Sequence, residues 1–328
     1  MKIVKILTFL TLALFYNITI MADIDYSQKI EFSGAFDKLK VTNEGIMLGE
    51  NATNYPIPYY NGIYLSKDLN LNFSKKGMEG FKITDIDSSN GEVFVTTYSS
   101  TGSSQPGLYK VTNNFQKFEK IGRTGFLNKV KTFKDKVYYG GNNYGAWVIN
   151  KDGTNNKQIL GADNYGPQVD QIKSNSKNVF ILSRGSLYIV NPDDTLTLVL
   201  SPYRLGGIEV TDSEIIGFSS NKFIILDFSG KVLYEKQFFN PLTIVKKYLN
   251  YVFLLELSPI EQKIWISNDL GKTFFESKTK FAPAKYIKEI ELSGKDNISI
   301  FLNFANERVL GLSSLISVFK FEIFISHK

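Results

Sequence analysis

The chain has 328 residues, of which 43% are hydrophobic and 21% charged, enough apolar material for a sizeable core and too much for wholesale disorder. Its net charge is +6, about +4 once Lys2 and Lys5 of the N-terminal segment are set aside, and it has no basic block, which argues against a nucleic-acid partner. It has no Cys and a single His, His327, so disulfides, thiolate metal sites, cysteine nucleophiles and a lipid-modified N-terminal Cys are excluded, and histidine catalysis or His-based metal binding has no basis. No cofactor and no metal is expected.

Residues 1–22 read as a secretory signal: two early lysines, an apolar run from Ile6 to Ala22, then Asp23. Cleavage after Ala22 would release residues 23–328 as one exported domain, periplasmic or secreted. No later stretch is long and apolar enough to span a membrane, so no stable insertion is expected after cleavage. The competing reading is an uncleaved anchor, because the apolar run is at the lower edge of a membrane span.

After Ala22 no helix pattern appears. Short runs of strand chemistry recur, bounded by Gly, Asn, Asp, Ser or Pro. One run per period serves as a marker: GIMLGE (from Gly45), EVFVTT (Glu92), KVYYGG (Lys136), NVFILS (Asn178), EIIGFS (Glu214), YVFLLE (Tyr251) and NISIFL (Asn297). A second run follows each marker (GIYLS, GLYKV, GAWVI, SLYIV, KFIIL, KIWIS, RVLGL), and a third, more polar run usually follows that. A fourth run precedes each marker: KLKVT, FKITDID, VKTFK, VDQIK, GIEVT, TIVKK and YIKEIE.

Four strands every 42 residues or so is the period of a β-propeller blade. Seven markers lead to the expectation of an all-β, seven-bladed β-propeller of four-stranded antiparallel blades. A sheet of such short strands cannot cover both of its faces alone, whereas radial stacking covers each with its neighbour. A β-solenoid and a sandwich plus second domain are the alternatives. Either KIEFSG (Lys29–Gly34) or the C-terminal KFEIFIS closes the ring.

The stretch SNDLGKTF lies between KIWIS and TFFES. Ser267 and Asp269 are suited to accept backbone N–H groups in a tight turn, Gly271 to adopt positive φ, and Phe274 to pack back between strands, with Thr273 completing the pattern. SKDLNLNF in the first repeat is a degenerate copy, with Ser66, Asp68 and Phe73 in the matching positions. These segments resemble the Asp-box, or BNR repeat, of sialidase-like, sortilin-like and photosystem-assembly-factor-like propellers. The resemblance implies a structural turn remote from any ligand site, with no calcium at the turn because too few carboxylates converge there.

Sialidases of this kind carry an aromatic-Arg-Ile-Pro stretch near the start. Here the nearest match is YPIP, Tyr55 to Pro58, and Pro56 stands where the first substrate-clamping Arg belongs. That departure counts against sialidase activity.

Propeller topology puts the second-to-third-strand loops of each blade and the blade-to-blade connections on one face. The residues expected there are Tyr59, Tyr60, Tyr98, Arg123, Tyr144, Tyr165, Arg184, Tyr203, Arg204 and Arg308, accompanied by Asn142, Asn143 and Asn164. Tyr, Asn and Arg together form the mix of polar recognition surfaces. The expected function is therefore an exported, non-catalytic binding module for a glycan or protein partner, with service as an assembly factor one possibility. The alternative is a glycoside hydrolase-like enzyme acting on an extracellular polysaccharide through paired carboxylates such as Asp163 and Glu307.

Overall fold

The structure is a computed structural model. It describes residues 24–32, 36–42, 44–50, 62–67, 72–100, 105–112, 114–277, 285–293, 298–306 and 316–323. Every named strand belongs to a four-stranded antiparallel sheet.

In chain order, β1 is Ile24–Phe32. The first blade is β2 (Phe36–Thr42), β3 (Gly45–Glu50), β4 (Ile63–Ser66) and β5 (Ser74–Gly77). The second is β6 (Phe81–Ser89), β7 (Glu92–Ser100), β8 (Gly107–Thr112) and β9 (Lys117–Thr124). The third is β10 (Leu127–Phe133), β11 (Lys136–Gly141), β12 (Gly145–Asn150) and β13 (Lys157–Leu160). The fourth is β14 (Gln171–Ser174), β15 (Val179–Ser183), β16 (Ser186–Val190) and β17 (Leu196–Val199). The fifth is β18 (Gly207–Val210), β19 (Ile215–Ser219), β20 (Lys222–Leu226) and β21 (Val232–Gln237). The sixth is β22 (Leu242–Tyr248), β23 (Tyr251–Leu257), β24 (Gln262–Ser267) and β25 (Phe275–Glu276). The chain ends with β26 (Lys285–Ser293), β27 (Ile298–Asn306) and β28 (Ile316–Ile323).

The expectation of a seven-bladed propeller is corrected here to six blades and a closing sheet. Six blades are each built from four consecutive strands. The remaining sheet is a composite in the order β26-β27-β28-β1, made from both ends of the chain. The reason is that the last repeat supplies three strands, and the open edge of β28 must be covered. β1 covers it antiparallel, from Ile24 opposite Ile323 to Phe32 opposite Ile316. The strand containing KIEF thus closes the ring. β26 lies beside β22 on one side and β2 on the other.

The first strand of each blade is innermost and touches the first strand of the next. The second strands are flanked by sheets on both faces, so they read as continuous apolar runs; Val179–Ser183 is buried at every position. The outermost strands are polar and half-exposed, as in Val232–Gln237. The core therefore lies between blades. Met47, Ile63 and Leu65 of the first blade pack on Ile83, Ile86, Val93 and Val95 of the second. Phe94 and Leu108 of the second pack on Val130, Val137 and Tyr139 of the third. A Cβ at Gly49 would come within 2.5 Å of Ile83 on the neighbouring sheet, so Gly there permits the close approach.

The innermost strands share a further device. A register shift occurs near the start of five of them, between Phe36 and Lys38, Ile83 and Asp85, Leu127 and Lys129, Leu242 and Ile244, and Ile287 and Glu289. Such bulges re-aim the following side chains. Lys38, Asp85, Lys129 and Glu289 come directly after the shift.

Candidate functional site

Antiparallel order puts the second-to-third-strand loops and the blade-to-blade connections on one face, as the repeat analysis requires. On that face, over the second and third blades, four of the expected residues come together. Arg123 leaves the end of β9, and its guanidinium lies 4.7 Å from the Tyr144 ring centre and 5.0 Å from that of Trp147. Nη1 donates to Asn164 Oδ1 at 2.6 Å. Nε is buried and has no acceptor, and among the described residues no carboxylate lies within ion-pair distance of Arg123. Tyr98 stacks on Phe126 at 4.8 Å, and Phe126 meets Tyr144 edge-on at 6.3 Å. Lys82 Nζ lies 5.0 Å from the Tyr98 ring. Phe126 is 44% exposed and Tyr165 73% exposed.

This surface is built rather than merely loop-rich. The connection from β13 to β14 folds back on the third blade: Ala162 and Tyr165 exchange backbone hydrogen bonds at 2.8 Å, and Gly166 N donates to Asn143 O. Gln158 clamps the same loop, donating to Tyr165 O at 2.8 Å and accepting from Asn164 N at 3.1 Å. Asp163, Asn164 and Asn143 take positive φ, which Asn and Asp tolerate best. Trp147 Nε1 donates to Tyr144 O, fixing the loop before β12. Beneath Arg123, its backbone N–H donates to the Tyr139 hydroxyl, which itself donates to Asn156 Oδ1 at 2.7 Å. Burial pushes the Tyr139 phenol up to about 12, so it stays a neutral support.

Arg184, Tyr203 and Arg204 form a separate group over the fourth and fifth blades. Arg204 Nε donates to Arg184 O at 3.1 Å, and its stem covers Gly185. The Tyr203 hydroxyl donates to Glu235, with Lys222 Nζ 5.2 Å from its ring, so Tyr203 is engaged within its own blade. Tyr59, Tyr60 and Arg308 lie outside the described residues, as do Pro56, Glu307 and the YPIP stretch. Asp163 is described, but its proposed carboxylate partner is not.

The turn at Ser267–Phe274 joins β24 to β25 on the opposite face. Ser267 Oγ donates to Asp269 Oδ1 and accepts from Gly271 N, both at 2.7 Å. Asp269 accepts from Thr273 N at 2.8 Å and from Thr273 Oγ1 at 2.6 Å. Gly271 has φ of 96°, and a Cβ there would sit 2.4 Å from Phe223. Phe274 packs edge-on against Phe223 and Phe238. Every residue type in the motif is used locally. In the first blade Ser66 is buried at the end of β4 and Phe73 is half-buried, whereas Asp68 lies outside the described residues. Asp152 with Thr154, Asp193 with Thr195 and Asp227 with Ser229 make the same carboxylate-to-hydroxyl contact in the matching turns of the third, fourth and fifth blades.

Two features escaped the sequence reading. The first is an axial ring of charge. Lys38 bridges Asp85 (3.0 Å) and Glu289 (2.5 Å), Lys131 pairs with Asp87 (3.0 Å), Lys173 with Glu209 (2.6 Å), and Lys246 with Glu291 (2.6 Å), each across a blade boundary. The same acids cap backbone donors of the next innermost strand: Asp85 accepts from Val130 N, Asp87 from Thr132 N, and Glu289 from Leu39 N. Burial opposes the Lys38 charge, but Asp85, Glu289 and Glu291 outweigh it and hold its pKa above the ordinary value. Burial likewise opposes Glu291, and Lys246, Lys40 and Lys38 draw it down to about 2. Lys173 goes the other way: burial depresses it to about 8 because Glu209 compensates only in part. The signal was present as charges two residues apart in the runs before the markers: Lys38 and Lys40, Asp85 and Asp87, Lys129 and Lys131, Glu289 and Glu291.

The second is a groove of about 610 Å3 between the fifth and sixth blades, lined by Phe238, Phe239, Asn240, Pro259, Ile260 and Trp265. Its buried Glu256 is committed to Asn240 N and Trp265 Nε1, and Lys263 to Glu261 and Glu276. Among the described residues no cluster of three His, Cys, Asp or Glu side chains is arranged to hold a metal ion.

No protein-family profile matches the chain, and no curated protein is significantly similar to it. Solved structures are similar in shape. A structure described as YCF48 bound to D1 peptide superposes with a TM-score of 0.65 at 11% identity, covering 91% of this chain and 99% of that one. YCF48 from Cyanidioschyzon merolae gives 0.64 at 11% identity, over 89% and 98%. The extracellular domain of the putative one-component system BT4673 from B. thetaiotaomicron gives 0.61 at 11% identity, over 91% of this chain and 42% of that one. At these identities the likeness shows the fold alone, and the fold is a β-propeller of four-stranded antiparallel blades.

Proposed function

We propose that the protein is an exported, non-catalytic binding module that receives an extended protein segment on the face over its second and third blades. The observation that carries this reading is the contiguous run of Tyr98, Phe126 and Tyr144 beside an Arg123 that has no counter-ion among the described residues. Partly exposed rings on a rigid, hydrogen-bonded base supply contact area at small entropic cost. Concave or loop-built surfaces on rigid scaffolds usually carry function. A propeller of similar shape described as bound to a peptide supports a protein segment over a glycan. Export is supported by the pattern of residues 1–22, and cleavage after Ala22 would leave the closing strand whole. The Ser267–Phe274 turn is read as a structural Asp-box on the opposite face.

The test is site-specific photocrosslinking in cells, with the reactive group at position 126 or, as control, at Asp152 on the opposite face. A protein captured only from position 126 is then purified and titrated against wild type and the Tyr98→Ala/Phe126→Ser double variant. The reading requires that the double variant fold as wild type and bind at least tenfold more weakly. Equal capture from both faces, or undiminished binding by the double variant, refutes it.

A further inference from the structure

We infer that the Arg123 cradle is a carboxylate subsite, and that the segment received on this face is acidic. The inference rests on the binding face proposed above and names the chemistry of its partner. Along the axial seam and in the groove, Lys38, Lys131, Lys173, Lys246 and Lys263 each reach a carboxylate within 4 Å. On the binding face over the second and third blades, Arg123, Lys82 and Lys120 reach none among the described residues. Arg123 is held by aromatic rings and by the neutral Asn164. Lys82 lies against the ring of Tyr98. Lys120 donates to Gln105 and Thr124, neither of them charged, and burial lowers its pKa. Asp163, the acid nearest in sequence to Asn164, makes no ion pair among the described residues. Against the exposed Asp163 of the same loop, these three cations still leave the surface positive and aromatic, the complement of a carboxylate flanked by apolar side chains.

The guanidinium is also already oriented. Rings beside it and one hydrogen bond at Nη1 fix its plane, leaving Nη2 without an acceptor among the described residues. A planar fork held in this way suits a carboxylate better than a flexible ammonium does. The carboxylate can belong to an Asp or Glu side chain or to a chain terminus, since the chemistry is the same.

Three synthetic octapeptides of alternating Phe and Glu separate these sources: one with a free C-terminus, one amidated, and one amidated with every Glu replaced by Gln. Hexagalacturonate serves as an acidic sugar probe. Trp147 and Trp265 are the only tryptophans, so two indole N–H resonances report separately on this face and on the groove. The expected result is that a carboxylate-bearing peptide shifts the Trp147 resonance and binds about tenfold or more tightly than the Gln peptide. R123Q should abolish that advantage, and R123K, which keeps the charge and loses the fork, should remove most of it. Loss of binding on amidation assigns the subsite to a chain terminus; loss only with Gln assigns it to side chains. Equal binding of acidic and neutral peptides, or an advantage that survives R123Q, overturns the subsite. If F126S still abolishes all peptide binding in that case, the binding face stands and only its acidic preference falls. Binding of hexagalacturonate without the peptides overturns the assignment to protein, and no binding by any probe at millimolar concentration overturns the subsite altogether.

Discussion

Lys173 Nζ lies 2.6 Å from Glu209 Oε1, across the boundary between the innermost strands of the fourth and fifth blades. A single carboxylate does not repay the burial of this ammonium, whose pKa falls from 10.5 to about 8. In the unfolded chain Lys173 holds its proton up to its ordinary value. Between pH 8 and 10.5 the unfolded state therefore binds more protons, and stability rises with pH through that window. The gain is on the order of 1–3 kcal/mol. Lys129, also depressed by burial, acts in the same direction. In K173M/E209L the rise should shrink, with stability at pH 7 equal to or above that of wild type. Urea midpoints of both proteins across this range test it; an unchanged slope would show that Lys173 is not the group responsible.

Glu291 gives a slope of the same sign at the acid end of the range. Its folded pKa is drawn to about 2 from 4.5, so its stabilisation is complete above 4.5 and is lost as pH falls toward 2. E291Q leaves Lys246 and Lys40 short of a counter-charge in a buried seam. It should cost about 3–5 kcal/mol at pH 7. Its acid-unfolding curve should be flatter than that of wild type. Parallel curves would show that the coupling lies elsewhere.

Two kinds of aspartate can be compared directly. Asp87 is buried and serves Thr132 N, Thr132 Oγ1 and Lys131, holding the second blade to the third. Asp152 caps an exposed turn within a single blade. D87A should therefore cost several-fold more stability than D152A, because it strands a buried donor and an ammonium. Thermal denaturation of the two variants decides between this account and one in which all hydrogen-bonded aspartates matter equally.

The strand order, the turn at Ser267–Phe274 and the sorting of loops by face were readable in the sequence because each rests on local chemistry: period-two burial, positive φ at Gly271, and alternation of strand direction. Arg123, Tyr98 and Tyr144 meet because adjacent blades bring their connections together. Tyr203 was expected with them, but Glu235, thirty-two residues further on, engages its hydroxyl, and nothing local announces that partner. Phe126 carries no signal in the sequence that sets it apart from the other phenylalanines, yet it lies partly exposed beside Tyr98. The axial charges were treated as scattered because their partners lie one blade away, Lys131 on Asp87 at a separation of 44 residues. The count of like blades erred at the closing sheet, where pairing joins residues at opposite ends of the chain.

Ring closure supplies the last prediction. β1 occupies the outer edge of the composite sheet, with Lys29 opposite Phe319 and Ile30 opposite Val318. Under the export proposed above, cleavage after Ala22 retains this strand, and the mature chain should begin at Asp23 and show the corresponding intact mass. A chain beginning at Gly34 lacks β1 and leaves β28 with an open row of backbone donors and acceptors. β26 holds the composite sheet between the first and sixth blades, so loosening that sheet loosens both of its neighbours. The truncated protein should melt about 5 °C or more lower, by the conversion of a loss of about 3 kcal/mol or more in a chain of this size. It should also lose amide protection first in β26–β28 and next in β2 and β22. Adding residues 23–33 back as a separate peptide should restore protection in the same order, because the missing contact is one antiparallel edge rather than a buried core. If the truncated chain melts as the full one does, the closing strand is an ornament on a ring already shut by β26–β28.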